Sequence, residues 1–413
     1  MTASTDDPVD LLSPELMADP YAGFARMREQ APILTGSMMG GPPMWLVTRY
    51  DDVRAVLTDP RFFNNPGSVE GGRDTRAEMS RKLGMDDEMT EYLAGNILNT
   101  DGADHTRLRK LVSRAFTVRR VSALRPRVEE ITSRLLDELA STGADGAPVD
   151  LVETFCYPLP ITVICELVGI DEADRPQWHE WGRVLSSMDR ERMPEVMREA
   201  VHHVLDVIAR RRAEPRDDLV TGLVQAQEDD GDRLTDREMV TMIFALVLAG
   251  HETTAHLLGN SVLALTAHPD QLARLTADPD LWPRAVHELM RLRGPVQFGQ
   301  MRYPSDDVEL GGVTIAAGSP VTPLLLAANT DPREFDDPST LDLFREAGPG
   351  EGHLGFGQGP HYCLGAALAR QEAEVALRAL FERFPDLSVA ADDVAWAPRP
   401  GFSRVAELPV RLG

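Results

Sequence analysis

A capping box opens the most apolar stretch of the chain: Thr235 is followed three residues later by Glu238, and Met239 to Ala249 are almost all apolar. The pattern predicts one helix from Thr235 to about His268, just before Pro269. At about 1.5 Å per residue such a helix is roughly 45–50 Å long. A helix apolar on nearly every face must pass through the centre of the molecule, and that fixes the architecture around it. Gly250 falls midway, where a glycine marks a place at which the helix can open or something can approach its backbone closely.

The stretch "LAGHETTAH", Leu248 to His256, puts two histidines, an acid and two alcohols into this buried setting. A zinc site on a helix needs histidines four residues apart. His251 and His256 are five apart, about 140° around the axis, and cannot share one ion without distortion. What remains is an acid beside an alcohol, Glu252-Thr253, which serves either proton chemistry or simple bonding to nearby backbone carbonyls.

The chain has 413 residues, with 42 Lys and Arg against 66 Asp and Glu, a net charge of −24 that repels nucleic acid and anionic membranes. The first twenty residues lack a basic segment followed by an apolar one, so the expected location is the cytoplasm, without a membrane anchor. Three cysteines, Cys156, Cys165 and Cys363, fit a reducing compartment and exclude a disulfide framework.

Around the long helix the pattern is mostly helical from Asp104 to about Leu265, broken at 143–150, at Pro158/Pro160 and at the acidic loop 228–232. Strand-like segments occur at 32–50, where a Gly/Pro turn joins two runs, at 298–327, where Gly311-Gly312 suits a two-residue hairpin turn, and at 400–412. They are too small and scattered for a domain of their own. The expected fold class is mainly α with small β-sheets, residues 1–413 forming a single domain.

In "GFGQGPHYCLGAALARQEAEVALRALFERF", Cys363 stands at the end of a Gly-rich loop and the start of an amphipathic helix. Backbone N–H groups and the positive end of a helix dipole are expected to lower the pKa of a thiol there and ready it as a metal ligand. The alternative is a cysteine packed as a small hydrophobe, the reading kept for Cys156 and Cys165.

Phe356, Gly357, Gly359, His361, Cys363 and Gly365 match all six fixed positions of the haem-binding signature of the cytochrome P-450 family. Upstream, "HELMR" supplies a Glu288-x-x-Arg291 pair and "AGHETT" the distal-helix motif, in the family's order. The chain therefore resembles a cytochrome P-450 from about residue 44 to 410, which implies that fold with a single haem-binding domain. The resemblance implies haem b (iron protoporphyrin IX) with Cys363 as its metal ligand. His105, Arg109, Arg302 and His361 match positions that hold the haem propionates, and Glu288, Arg291 and Arg345 match a structural ion-pair cluster. Leu341 stands where family members often carry an aromatic.

By the same resemblance the activity is monooxygenation. Thiolate ligation favours O–O cleavage, while Glu252 and Thr253 deliver protons on the distal side. Electrons are expected from NAD(P)H through separate partners, a ferredoxin and a ferredoxin reductase. Arg107, Lys110 and Arg114 would form the docking face, lying about 140–200° from His105 on a helix. A non-catalytic haem-thiolate sensor or a peroxide-driven peroxygenase are the alternatives, but the latter generally has Arg-Pro where this chain has the acid–alcohol pair. The expected substrate is a hydrophobic small molecule, a macrolide or other polyketide of the kind that actinobacterial members tailor. Ala249, Val296 and Phe298 are candidate pocket residues, with the segments 63–98, 180–195, 296–301 and 401–405 around them.

Overall fold

The computed structural model describes residues 8–38, 40–70, 80–81, 84–187, 189–225, 234–346, 350–391, 394–396 and 401–413. The acidic loop at 228–232 lies outside the described residues.

The long helix spans Asp236–Thr266, and both halves of its capping box form. The Glu238 N–H donates to Thr235 Oγ1 at 3.1 Å, and the Thr235 N–H donates to Glu238 Oε2 at 2.7 Å. By length and composition it could cross a membrane, yet 72% of its most apolar window is buried inside the protein, which makes it the axle of the core. The helices Pro158–Val168, Met193–Ala213, Trp282–Arg293 and Ala366–Arg383 are among those packed against it. Removing the cap by Thr235→Ala is expected to destabilise the protein by about 0.5–2 kcal/mol. In a chain of this size that lowers the thermal midpoint by about 1–2 °C, readable by calorimetry.

Gly250 does not open the helix, contrary to one expectation. The helix is continuous, and what approaches is Ile164, whose Cγ1 would lie 3.1 Å from a Cβ at Gly250. The interruption at Pro158/Pro160 is real: a widened turn, closed by Tyr157 N–H to Val152 O at 2.9 Å, leads into a helix with Pro158 in its first turn, where the missing N–H does no harm.

The strands of the described residues fall into small separate sheets, the largest of four strands. Ile33–Ser37 and Met44–Val47 pair antiparallel, with Val9–Asp10 and Val321–Pro323 added in parallel at the two edges. Val308–Leu310 and Val313–Ile315 form the expected hairpin, with Gly311 at φ +56° and Gly312 at φ +80°, the left-handed pair that a tight turn requires. The C-terminal segment is less regular than its composition implies. Only Pro409–Arg411 is a strand, paired with Val149–Asp150 and Ser388–Val389, because Phe402 and Val405 make isolated bridges to Val296 and Trp396.

Behind the cysteine loop, Glu288 and Arg291 form a buried fork, Nε to Oε2 and Nη2 to Oε1 both at 2.7 Å. Arg345 approaches the same carboxylate at 3.3 Å. Arg291 also donates to Asn329 O and Pro338 O, and the Asp342 N–H donates to Glu288, so the buried charges are bonded on every side. Leu341 is buried against the main apolar cluster beside Leu343, and no aromatic is needed to close this loop.

Candidate active site

Two glycines shape the loop before the cysteine helix. Gly357 (φ +70°) and Gly359 (φ +75°) are left-handed, and a Cβ on Gly359 would lie 2.5 Å from Leu57 O. The loop closes on itself through Cys363 N–H to Phe356 O at 2.9 Å, and the helix Ala366–Arg383 begins after Gly365. A Cβ on Gly365 would meet nothing nearer than Cys363 Sγ at 4.0 Å, so the backbone beside the sulfur is open on that side.

Two opposing effects act on this thiol. Burial pushes the Cys363 thiol up, and the Gly365 N–H with the Arg109 and Arg370 guanidinium groups offsets this only in part. The dipole argument left out desolvation, which acts against it on the bare thiol. Cys156 and Cys165 are fully buried, with Cys165 pushed up to about 12, and they pack as small hydrophobes.

Beside the loop, four basic side chains from three parts of the chain converge. His105 and Arg109, one turn apart on the helix Gly102–Ala115, meet His361 of the loop and Arg302 from beside the edge strand. The His105 and His361 rings lie 4.0 Å apart, and Arg109 Nη2 donates to Tyr362 O at 2.7 Å. Burial, followed by the charges of His105, Arg302 and Arg109, pushes His361 down to about 3. Arg302 is 3% exposed, its guanidinium is lowered to about 10 by burial, and its Nη1 has no hydrogen-bond partner. The nearest carboxylate, Asp101, lies 3.9 Å from His361 and accepts instead from the N–H groups of Asn64 and Asn65. A buried basic cluster short of carboxylates is a receptor for a dianion.

On the long helix, Leu246, Ala249, Gly250 and Thr253 share one face and are all at least partly accessible, while His251, Glu252 and Thr254 are buried. Thr253 Oγ1 donates to Ala249 O at 2.7 Å, which leaves its lone pairs as acceptors. Glu252 points elsewhere, buried with His256 Nε2 and Arg404 Nη1 each at 3.4 Å. His251 turns away from His256, with Nδ1 on Val247 O and Nε2 on the Tyr157 hydroxyl, in keeping with the exclusion of a shared metal.

Reading the sequence missed the pairing of Glu252 with His256 and Arg404. The four-residue spacing from Glu252 to His256 was a usable signal, whereas the contact of Arg404 over 152 positions carries none. Of the remaining candidates, Val296 bridges Phe402, while Phe298 stacks edge-on against Phe24 at 5.8 Å and lies under Gly401, which ties its ring to the N-terminal cluster. The basic face divides: Arg107 pairs with Glu238 of the long helix, Lys110 is exposed, and the side chain of Arg114 lies outside the described residues.

Comparison with known proteins supplies an independent view. The family described as Cytochrome P450 matches residues 176–282 and 281–395. The chain is 43% identical to the 6-deoxyerythronolide B hydroxylase of Saccharopolyspora erythraea over 98% of each chain. It is 41% identical to the cytochrome P450 monooxygenase PikC of Streptomyces venezuelae, over 97% of this chain and 92% of that one. The ligand-free P450 monooxygenase TamI superposes with a TM-score of 0.87 at 38% identity, covering 99% of this chain and 95% of that one.

Proposed function

The chain belongs to the cytochrome P450 family and is a monooxygenase, and we propose that it inserts one oxygen atom of O2 into a C–H bond, or across a C=C bond, of a macrolide or another polyketide. The observation that carries the site assignment is the carboxylate-poor cluster of His105, Arg109, Arg302 and His361 beside Cys363. It fits haem b: Cys363 Sγ would ligate the iron, and the four basic groups would take the two propionates. Bound there, the thiolate-ligated haem supplies the activation of O2 with two electrons and two protons.

The protein's own share is placement and proton control. Ala249, the exposed residue of that stretch, gives the substrate side of the long helix a low profile, and Val296, bridged to Phe402, is assigned to the pocket wall. Thr253 holds a water or substrate hydroxyl through its acceptor lone pairs. Glu252, set between His256 and Arg404, is the carboxylate from which protons move inward. On this reading residues 1–413 act as one haem-binding unit in the cytoplasm. NAD(P)H electrons arrive through a ferredoxin and its reductase, with Lys110 on the docking face and Arg107 drawn off it by Glu238.

Turnover tests the reading. With O2, NAD(P)H and a surrogate ferredoxin system, a polyketide macrolactone panel is expected to yield a product heavier by one oxygen atom. Turnover with hydrogen peroxide alone would instead make the protein a peroxygenase. Ligand-induced spectral change with no turnover under either regime would make it a sensor.

A further inference from the structure

Three metal-ligating side chains meet outside the site described above. His287 comes from the helix Trp282–Arg293, and Glu351 and His353 from the segment leading into the cysteine loop. Their ligand atoms all lie within 4.8 Å of one another. His287 Nδ1 is 3.3 Å from Glu351 Oε2, and His353 Nε2 is 3.9 Å from the same oxygen. All three atoms are buried, and none makes a well-formed hydrogen bond. Buried polar atoms are rarely left so, and one shared cation would satisfy all three once the His353 ring proton moves from Nε2 to Nδ1.

We propose that His287, Glu351 and His353 form a site for a divalent transition-metal ion, Zn2+ by choice of ligands, with water as the fourth ligand. Two ligand atoms about 2.0–2.1 Å from a tetrahedral zinc lie about 3.3 Å apart, which is the spacing already present between His287 and Glu351. Closing the remaining distances takes a shift of His353 of an ångström or so, on the order of a side-chain adjustment. Two imidazoles and one carboxylate with an open position match the nitrogen–oxygen set that zinc takes in three-ligand sites.

Protonation states agree with this geometry. Burial holds the His353 imidazole neutral, pushed down to about 3. Burial alone would raise Glu351, but His287, Tyr362 and Arg370 hold its carboxyl at about 2, so it is ionised. Access exists as well, since His287 lines a surface groove with Pro283, Arg284 and Glu346, where the carboxylate and the guanidinium offset one another.

Two features limit the affinity. Glu351 Oε1 is already engaged by the Tyr362 hydroxyl and by Arg370, whose positive charge opposes a cation. His353 Nδ1 accepts from the Gly355 N–H at 3.1 Å, so ligation through Nε2 moves the ring proton to Nδ1 and gives up that bond. The site therefore binds more weakly than a structural zinc finger, with a Kd of roughly micromolar order.

The test is equilibrium dialysis of chelator-treated holoprotein against Zn2+ at neutral pH, with zinc per chain read by mass spectrometry. One zinc per chain is expected. His287→Ala and His353→Gln should each weaken binding by at least about tenfold, while a His202→Ala control on an exposed helix position binds like the parent. Failure of the parent to take up zinc overturns the site, as does either variant that binds as the parent does. Should His353→Gln not fold, His287→Ala decides, because that side chain reaches the surface groove.

Discussion

A Cys363→His protein, reduced and exposed to CO, is expected to lack the strongly red-shifted Soret band of thiolate ligation and to lose hydroxylation altogether. Histidine still offers a donor atom, so haem can be retained, but a neutral imidazole does not push electron density as a thiolate does. The other two cysteines provide the contrast. Cys156 and Cys165 are fully buried and burial pushes both thiols up, so Cys156→Ala and Cys165→Ala should keep the band and cost only about 1–2 kcal/mol of stability each. A Cys363→Ser protein that keeps both band and activity would falsify the ligand assignment. The raised pKa of the bare thiol bears on this result: desolvation disfavours the thiolate until a cation compensates it, so ligation and ionisation go together.

What the sequence made legible divides by interaction range. The long helix, its capping box and the Gly311-Gly312 hairpin were readable because each depends on residues three or four apart, or on one local conformation. The cysteine loop was readable by its resemblance, and His105 and Arg109 could be placed on one face by their four-residue spacing. Properties set by burial and by distant partners were not readable. Helix-dipole reasoning about Cys363 could not weigh its desolvation, and the basic face around Lys110 could not reveal that Arg107 answers to Glu238 across 131 positions. Gly250 shows the same limit, since periodicity exposes a glycine in a helix and is silent on Ile164 packing against it. The regular elements follow from local rules, and the electrostatics of the site follow from where those elements meet.

Thr253→Ala is expected to bind haem and substrate normally, and to release as peroxide electrons that the parent places into product. Thr253 sits with Leu246, Ala249 and Gly250 on the accessible face of the long helix, and the substitution keeps a good helix former there. Its hydroxyl hydrogen is spent on Ala249 O at 2.7 Å, so the group acts by accepting a hydrogen bond from a water or a substrate hydroxyl. A hydrogen bond worth about 1 kcal/mol changes a branching ratio about fivefold, and product formed per NAD(P)H consumed should fall by that order. Glu252→Gln should act differently, because Glu252 lies about 100° away around the axis and rests between His256 and Arg404. An amide cannot pass on a proton as a carboxylate does, so turnover slows and the solvent isotope effect grows while coupling stays closer to that of the parent. The pair of variants thus separates holding a proton donor in place from supplying the proton. A Thr253→Ala enzyme as tightly coupled as the parent would assign the holding role to the substrate's own hydroxyls, and a macrolactone stripped of them should then uncouple the parent enzyme as well.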